Sequence, residues 1–303
     1  MKLLYAKTLQ EARHAKSEGY EPIECCFGEV SVVGKYCLDH HGPYADQEPV
    51  SLRAHDIVHQ RGFQPLEKIV VTGRPDADTS YAALLLTGNL SPSLPIARAI
   101  GQLDLDPVGI AQTQGDYLRV AAYRTQLQPK RTKKSHVQAL AIGTNVFSSE
   151  PLSRSTATEA RQYERQRARR AKQAIQYVED GIALVHSDED SRDIWHKIFA
   201  SLVIQYKPAE HILTFSGCTR DAVRRLRLQG IQRKSVYRLL GDQGFLGCYA
   251  SFDAFLGEGS GGRADIGGSP KHLKITPDQA FDAYCHLQKL AAPLSQRPRK
   301  AAS

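Results

Sequence analysis

The chain has no long hydrophobic run. Its most apolar stretches, Tyr81 to Leu86 and Ile198 to Ile204 with their neighbours, fall far short of the roughly 18 residues that span a bilayer, so no membrane helix and no membrane partner are expected. The first residues, Met1 to Lys7, lack a continuous apolar segment and a cleavage site. That leads to the expectation of a cytoplasmic protein. Cysteine is sparse, and Cys25, Cys26, Cys37, Cys218, Cys248 and Cys285 contain no C-x-x-C pair, which points to reduced, mostly buried thiols rather than a disulfide framework. No internal repeat is visible. Acidic side chains are outnumbered, 32 Asp+Glu against 40 Lys+Arg, and the net charge of +8 favours an anionic partner. A phosphate-bearing substrate fits that charge, whether a nucleotide or single-stranded nucleic acid.

What is present suffices for two compact domains. The chain has 303 residues, and its 41% hydrophobic and 24% charged content lies near globular averages. Short apolar runs alternate with helix-like stretches from Met1 to about Phe147, the pattern of a parallel α/β sheet. Lys68 to Thr72 reads as a buried strand, Gly73-Arg74-Pro75 as a turn, and Ser80 to Leu86 as a helix start. Thr156-Ala157-Thr158-Glu159 has the form of a capping box. The helix it opens is expected to run to Gly181, with Ala160, Tyr163, Ala171, Ala174, Ile175 and Val178 on one stripe. A second, smaller α/β domain is expected over 182–292. In it, a strand covers Ile182 to His186, an amphipathic helix Ile194 to Tyr206, strands His211 to Phe215 and Ser235 to Leu240, and a last helix Pro277 to Leu290. Trp195 is expected in the core, and 293–303 as a disordered tail.

Three clusters carry potential metal ligands. Tyr36-Cys37-Leu38 reads as a short apolar strand that ends in Asp39-His40-His41 and then Gly42; Asp76-Ala77-Asp78 follows the Lys68 strand; Asp104-Leu105-Asp106 follows the helix-like Ile96 to Leu103. A strand, a polar loop and a helix place Asp76 and Asp78 at the carboxyl end of a strand, where open α/β sheets bind ligands. Carboxylate oxygen suits Mg²⁺ and Mn²⁺, and imidazole shifts the preference toward Mn²⁺, Fe²⁺ or Zn²⁺. Two Asp-x-Asp pairs suggest two ions, an arrangement that activates water and clamps the oxygens of a phosphoryl displacement.

These motifs resemble those of the DHH phosphoesterase superfamily. Its namesake tripeptide is matched by Asp39-His40-His41, its first motif by Val70 to Ala82 with Pro75-Asp76-Ala77-Asp78, and its fourth by Asp104 to Gly109. The order differs, since the Pro-Asp-x-Asp motif follows Asp-His-His here, and Thr72 stands where the family often has a His. Glu24 is the positional candidate for the family's upstream Asp. The resemblance implies a metal-binding catalytic domain over 1–147, a linker and connecting helix over 148–181, and a substrate- or nucleotide-binding domain beyond. It implies Asp39, His40, Asp76, Asp78, Asp104 and Asp106 as metal ligands, with two Mn²⁺ ions expected and Mg²⁺ as the alternative. His41 would orient or protonate the phosphate. The glycine-rich Gly257 to Gly268 is similar to the family's second-domain motif, which makes Gly261, Gly262 and Arg263 substrate-binding candidates. The implied activity is hydrolysis of a phosphodiester or phosphoanhydride. A catalytically degenerate nucleotide- or nucleic-acid-binding protein is the alternative.

Basic residues gather in two further places. Arg161, Arg165, Arg167, Arg169, Arg170 and Lys172 lie on the connecting helix, where they serve either as a solvated strut or as a track for a nucleic-acid backbone. Arg220, Arg224, Arg225 and Arg227 form the second group, continued by Arg233, Lys234 and Arg238. His55 and His59 share a helix face at i, i+4 spacing.

Overall fold

The computed structural model describes residues 1–27, 30–41, 44, 46–127, 130–270 and 272–295, without the side chains of 292–295. The chain divides into two compact units, one of 1–105 with 111–164 and the other of 106–110 with 165–303. No described helix is long and apolar enough to cross a membrane.

The first unit is built on β1 (Lys2–Tyr5), α1 (Leu9–Ser17), β2 (Glu21–Ile23), β3 (Cys25–Phe27), β4 (Val30–Val32), α2 (Val50–Val58), β5 (Lys68–Val71), α3 (Ala77–Leu86), α4 (Leu94–Leu105), α5 (Tyr117–Gln126) and α6 (Lys133–Val146). Its main sheet is parallel with β5 in the middle, in the order β1-β5-β2. Beyond β2, the strand expected over Tyr36-Cys37-Leu38 is reduced to a single parallel bridge between Leu38 and Ile23, because Cys37 at φ 52° cannot extend it. β5 is buried on both faces, as its Ile69-Val70-Val71 run requires. Helix α3 is buried all round, from Asp78 to Leu86, which explains a sequence with no polar face. It begins at Ala77, earlier than the Ser80 start expected, because the Asp76 carboxylate caps it by accepting from Thr79 N–H at 2.8 Å.

The helix α7 (Arg154–Gln173) starts one turn before the predicted capping box, with Ser153 Oγ accepting from Thr156 N–H at 3.1 Å. It also stops earlier than Gly181. Ile175 to Glu179 form a strand, β6, whose Ile175, Tyr177 and Val178 favour the pleated sheet. Asp180 and Gly181, both at positive φ (49° and 80°), make the turn into β7 (Ile182–His186). An Asp-Gly pair between apolar runs is a hairpin signal that outweighs the helical periodicity.

The second unit continues with α8 (Arg192–Ile198), β8 (Leu202–Lys207), β9 (Ile212–Gly217), α9 (Arg220–Leu228), α10 (Val236–Leu240), α11 (Tyr249–Leu256), β10 (Gly261–Gly262), β11 (Ile266–Gly268) and α12 (Pro277–Ser295). Its six strands run in the order β10-β11-β9-β8-β7-β6, all antiparallel except the β7–β8 pair. Two expectations are corrected. The predicted helix Ile194 to Tyr206 is a short helix and then β8, since Leu202-Val203-Ile204 is a β-rich run buried at the centre of the sheet. Ser235 to Leu240 is not a strand but α10, capped by Ser235 Oγ, which accepts from Arg238 N–H at 3.3 Å. Trp195 is fully buried and donates from Nε1 to Ala171 O at 2.9 Å. The last helix extends to Ser295, into the segment expected to be disordered; 296–303, with Arg297, Arg299 and Lys300, lie outside the described residues.

Candidate metal centre

Glu24 follows β2 directly, and Asp39 follows Leu38, so the Ile23–Leu38 bridge sets both at the carboxyl ends of adjacent strands. The Glu24 N–H donates to Leu38 O at 2.8 Å. Glu24 (φ 51°) and Cys37 (φ 52°) are both in the left-handed region, a strained conformation for side chains with a Cβ that clusters at functional sites. Arg53 of α2 braces the loop from above the strand end, donating from Nη1 to Asp39 O at 3.2 Å and from Nη2 to Tyr36 O at 3.0 Å.

His40 is the hub. Its Nε2 lies 2.7 Å from Glu24 Oε1, 3.3 Å from Asp104 Oδ2 and 3.8 Å from Asp78 Oδ2. Two groups of potential ligand atoms result, Glu24–His40–His41 and His40–Asp78–Asp104, each with its atoms within 4.8 Å of one another. His40, Asp78 and Glu24 are buried, while His41 is about half exposed and Asp104 half-buried. Such a graded opening leaves one side of the cluster accessible to a ligand.

The surrounding contacts fix the ligands in place. Asp78 accepts from the N–H groups of Val50 (2.9 Å) and Ser51 (3.0 Å) at the N-terminus of α2. Thr79 Oγ1 donates to Glu24 Oε2. Asp39 Oδ1 accepts from His41 N–H at 2.8 Å and lies 3.1 Å from His41 Nδ1. Asp39 Oδ2 and His40 Nδ1 are buried without a hydrogen-bond partner, a costly arrangement unless another group satisfies them.

Electrostatics single out the same residues. Burial pushes the Glu24 carboxyl well above its ordinary value, and the charges of Asp76 and Asp104 push it further. Asp78 is raised in the same way by burial, Asp104 and Glu24. Burial alone would raise Asp39 too, but the hydrogen bonds from His41 bring it below its usual value. In return, the Asp39 carboxylate raises His41. Carboxylates crowded so that each disfavours the charge of the next are stabilised by a cation between them. A donor set of imidazole and carboxylate oxygen can hold a divalent cation, and the two orphaned buried atoms fit a site built for more than its own side chains.

No family model, curated protein or solved structure matches this chain.

Of the residues singled out from sequence, His40, His41, Asp78 and Asp104 come together in the two ligand groups. Asp39 stands next to them and orients His41. Asp76 caps α3, and its charge acts on Glu24, but it belongs to neither ligand group. Asp106 also belongs to neither ligand group. It lies in the second unit, where Thr219 Oγ1 donates to its Oδ2 at 2.7 Å and Arg225 forms an ion pair with it. Helix α4 ends at Leu105, and Val108, two residues after Asp106, packs with Cys218, Ala222 and Leu226. Gly42 lies outside the described residues.

Gly261 and Gly262 form β10 at the edge of the six-stranded sheet, and Arg263 N–H closes the hairpin turn onto Ile266 O at 2.7 Å. The glycines here answer to close packing. A Cβ on Gly267 would collide with the Tyr249 hydroxyl, which donates to Arg263 O at 2.8 Å, and Gly262 backs onto Gly267 at φ 147°. His55 on α2 and His59 at its C-cap lie with tilted rings, centroids 4.5 Å apart, and belong to neither ligand group. In the second basic group, Arg225 is held by Asp106, and Arg233 donates from Nε to His196 O at 2.9 Å. Sequence reasoning reached Glu24 only as a positional candidate; its strained φ and the charges that raise it mark it in the structure. Val50 and Ser51 were missed altogether, because helix N–H donors leave no side-chain signature.

Proposed function

We propose that this chain is a divalent-metal-dependent phosphoesterase of DHH type, with a rearranged motif order, that hydrolyses a phosphodiester or phosphoanhydride of a nucleotide or oligonucleotide. The observation that carries this reading is the pair of ligand groups sharing His40, drawn from the ends of adjacent strands and from Asp104 at the end of α4. The strand order explains how the inverted motifs can serve one site. With β5 beside β2 and Leu38 beyond β2, the loops bearing Asp78, Glu24 and His40 are neighbours whatever their order along the chain.

Glu24, His40, Asp78 and Asp104 would hold Mn²⁺, with His41 or Asp39 completing the set. A bound ion supplies Lewis acidity toward the phosphate and lowers the pKa of water. The chain's own contribution is positional. Asp39 fixes the tautomer of His41 by accepting from its Nδ1, which leaves Nε2 as the atom that can accept a proton from water or pass one to a leaving oxygen. The neighbouring carboxylate that raises the pKa of His41 favours the protonated form, which suits it to the acid role. The Gly261–Arg263 hairpin, with an open strand edge, remains the proposed phosphate-binding element of the second unit.

The deciding experiment is hydrolysis of bis-p-nitrophenyl phosphate with and without Mn²⁺, together with a metal-binding isotherm. The reading expects Mn²⁺-dependent turnover that His40→Ala abolishes. Mn²⁺ binding without turnover would favour the degenerate, binding-only alternative, and an absence of both would overturn the metal site itself.

A further inference from the structure

The helix α7 carries a stripe of unpaired positive charge. Arg154, Arg161, Arg165, Arg169 and Lys172 are all exposed, and at 3.6 residues per turn their side chains fall within about 80° of arc, along about 27 Å of helix. The buried positions, Ala160, Glu164, Arg167 and Ala171, repeat on the far side. Arg167 and Arg170 are paired with Asp193 and Glu189, whereas none of the five stripe residues takes part in an ion pair among the described residues. Glu159, the other acidic residue of the helix, falls about 80° beyond the edge of the stripe, beside Gln166 on its flank. Arginines that neutralise partners and arginines that face only water are thus segregated on one helix.

We infer that this face of α7 binds the phosphate backbone of single-stranded nucleic acid, independently of the metal centre. Three features select that partner. The consecutive steps Arg161, Arg165 and Arg169 repeat every four residues, about 6 Å along the axis, giving a straight ladder of guanidinium groups suited to successive phosphates. A flexible single strand can lie along a straight ladder, whereas the phosphates of a duplex curve away from it. The flank is formed by exposed Gln162, Gln166 and Gln173, amide donors to phosphate oxygens, and not by the Trp, Phe or Leu side chains that a membrane-surface helix presents. No aromatic ring lies on the stripe, so recognition is of the backbone, without base stacking or sequence preference.

The test is fluorescence anisotropy of labelled dT20 across a salt series in the presence of EDTA, so that its outcome does not depend on the metal site. With five phosphates contacted, log K should fall with log salt at a slope of about −3.5, which is about a 100-fold loss between 50 and 200 mM. The triple variant Arg161→Gln/Arg165→Gln/Arg169→Gln, which preserves helix propensity, should flatten the slope to about −1.4. A control with the same charge change at exposed positions elsewhere, Lys7→Gln just before α1 with Arg13→Gln and Lys16→Gln on it, should leave it unchanged. Equal flattening in both variants would overturn the inference by assigning the effect to net charge. So would an unaltered slope in the α7 variant, or tighter binding of a duplex of the same length.

Discussion

His40 Nε2 and Glu24 Oε1 stand 2.7 Å apart in a buried setting, although neither residue belongs to a regular strand or helix. A single-residue bridge, Ile23 to Leu38, holds them there. Because His40 is common to both ligand groups, His40→Ala should eliminate Mn²⁺ binding altogether, whereas Asp104→Ala should weaken it by at least about tenfold, the cost of one lost ligand. Isothermal titration with MnCl₂ measures both; equal, small effects would show that the histidine is not shared.

Glu24→Gln should separate stability from binding. The amide keeps an oxygen for Thr79 but removes a charge that burial, Asp76 and Asp104 all oppose. Without metal the variant should melt at a higher temperature than the wild type, while its Mn²⁺ affinity falls. Scanning calorimetry in EDTA checks the first half. A lower melting temperature would mean that the carboxylate serves the fold as a partner of His40.

Asp106→Ala should do the reverse of Asp104→Ala. It leaves Thr219 Oγ1 without its acceptor and Arg225 without its ion-pair partner, although Arg225 keeps its bonds to the backbone carbonyls of Val108 and Asp106, so a loss of about 1–3 kcal/mol in stability is expected, with Mn²⁺ affinity untouched. Urea melts and a titration on the same preparation distinguish the two neighbours.

Gly267→Ala and Gly261→Ala test the glycine-rich hairpin. A Cβ at 267 meets the Tyr249 hydroxyl, whereas at 261 it meets open space. The first should destabilise by about 1–3 kcal/mol through overpacking. The second should leave the melting temperature unchanged and, if the strand edge binds phosphate, raise KM for a nucleotide substrate.

His196 sets one arm of the pH dependence. It is buried between Ala200 O and Ser216 Oγ, each 3.0 Å away, and burial lowers its pKa from 6.5 to about 4. The unfolded chain therefore binds the extra proton first, so this residue's contribution is complete above pH 6.5 and is lost as pH falls toward 4, by about 3 kcal/mol in all. Glu24 and Asp78 act in the opposite sense, because their raised values favour the folded state on acidification. Denaturant melts of wild type and His196→Gln between pH 4 and 7 isolate the histidine: the difference between them should shrink as pH falls.

The strand–loop–helix unit at the centre of the first unit was legible in the sequence, because Ile69-Val70-Val71 and the Pro75-Asp76-Ala77-Asp78 turn give local signals that agree. Ile175 to Glu179 was not, since its apolar spacing satisfies a helix as well as a strand, and only the Asp180-Gly181 turn decides between them. Ser235 to Leu240 misled in the same way: Val236, Leu239 and Leu240 suit a strand, but the Ser235 cap and packing into the core beside Leu202 and Phe245 make a helix. For the site, residue types identified most of the cluster, but spacing could not separate Asp104 from Asp106. That separation depends on α4 ending between them and on Val108 joining a different core, which is tertiary information.

The cluster around His40 draws on four separate stretches of chain, and the last of them, Asp104, comes long after Glu24. During synthesis, an N-terminal fragment that already contains Asp-His-His holds Glu24, His40 and His41 but only one member of the His40–Asp78–Asp104 group, so a cation that needs both groups would have to wait until α4 has left the ribosome and docked. A metal that recognises only the completed arrangement then binds the native state and not its precursors. It would act as a latch on the finished unit, and its full binding energy would appear as added resistance to unfolding.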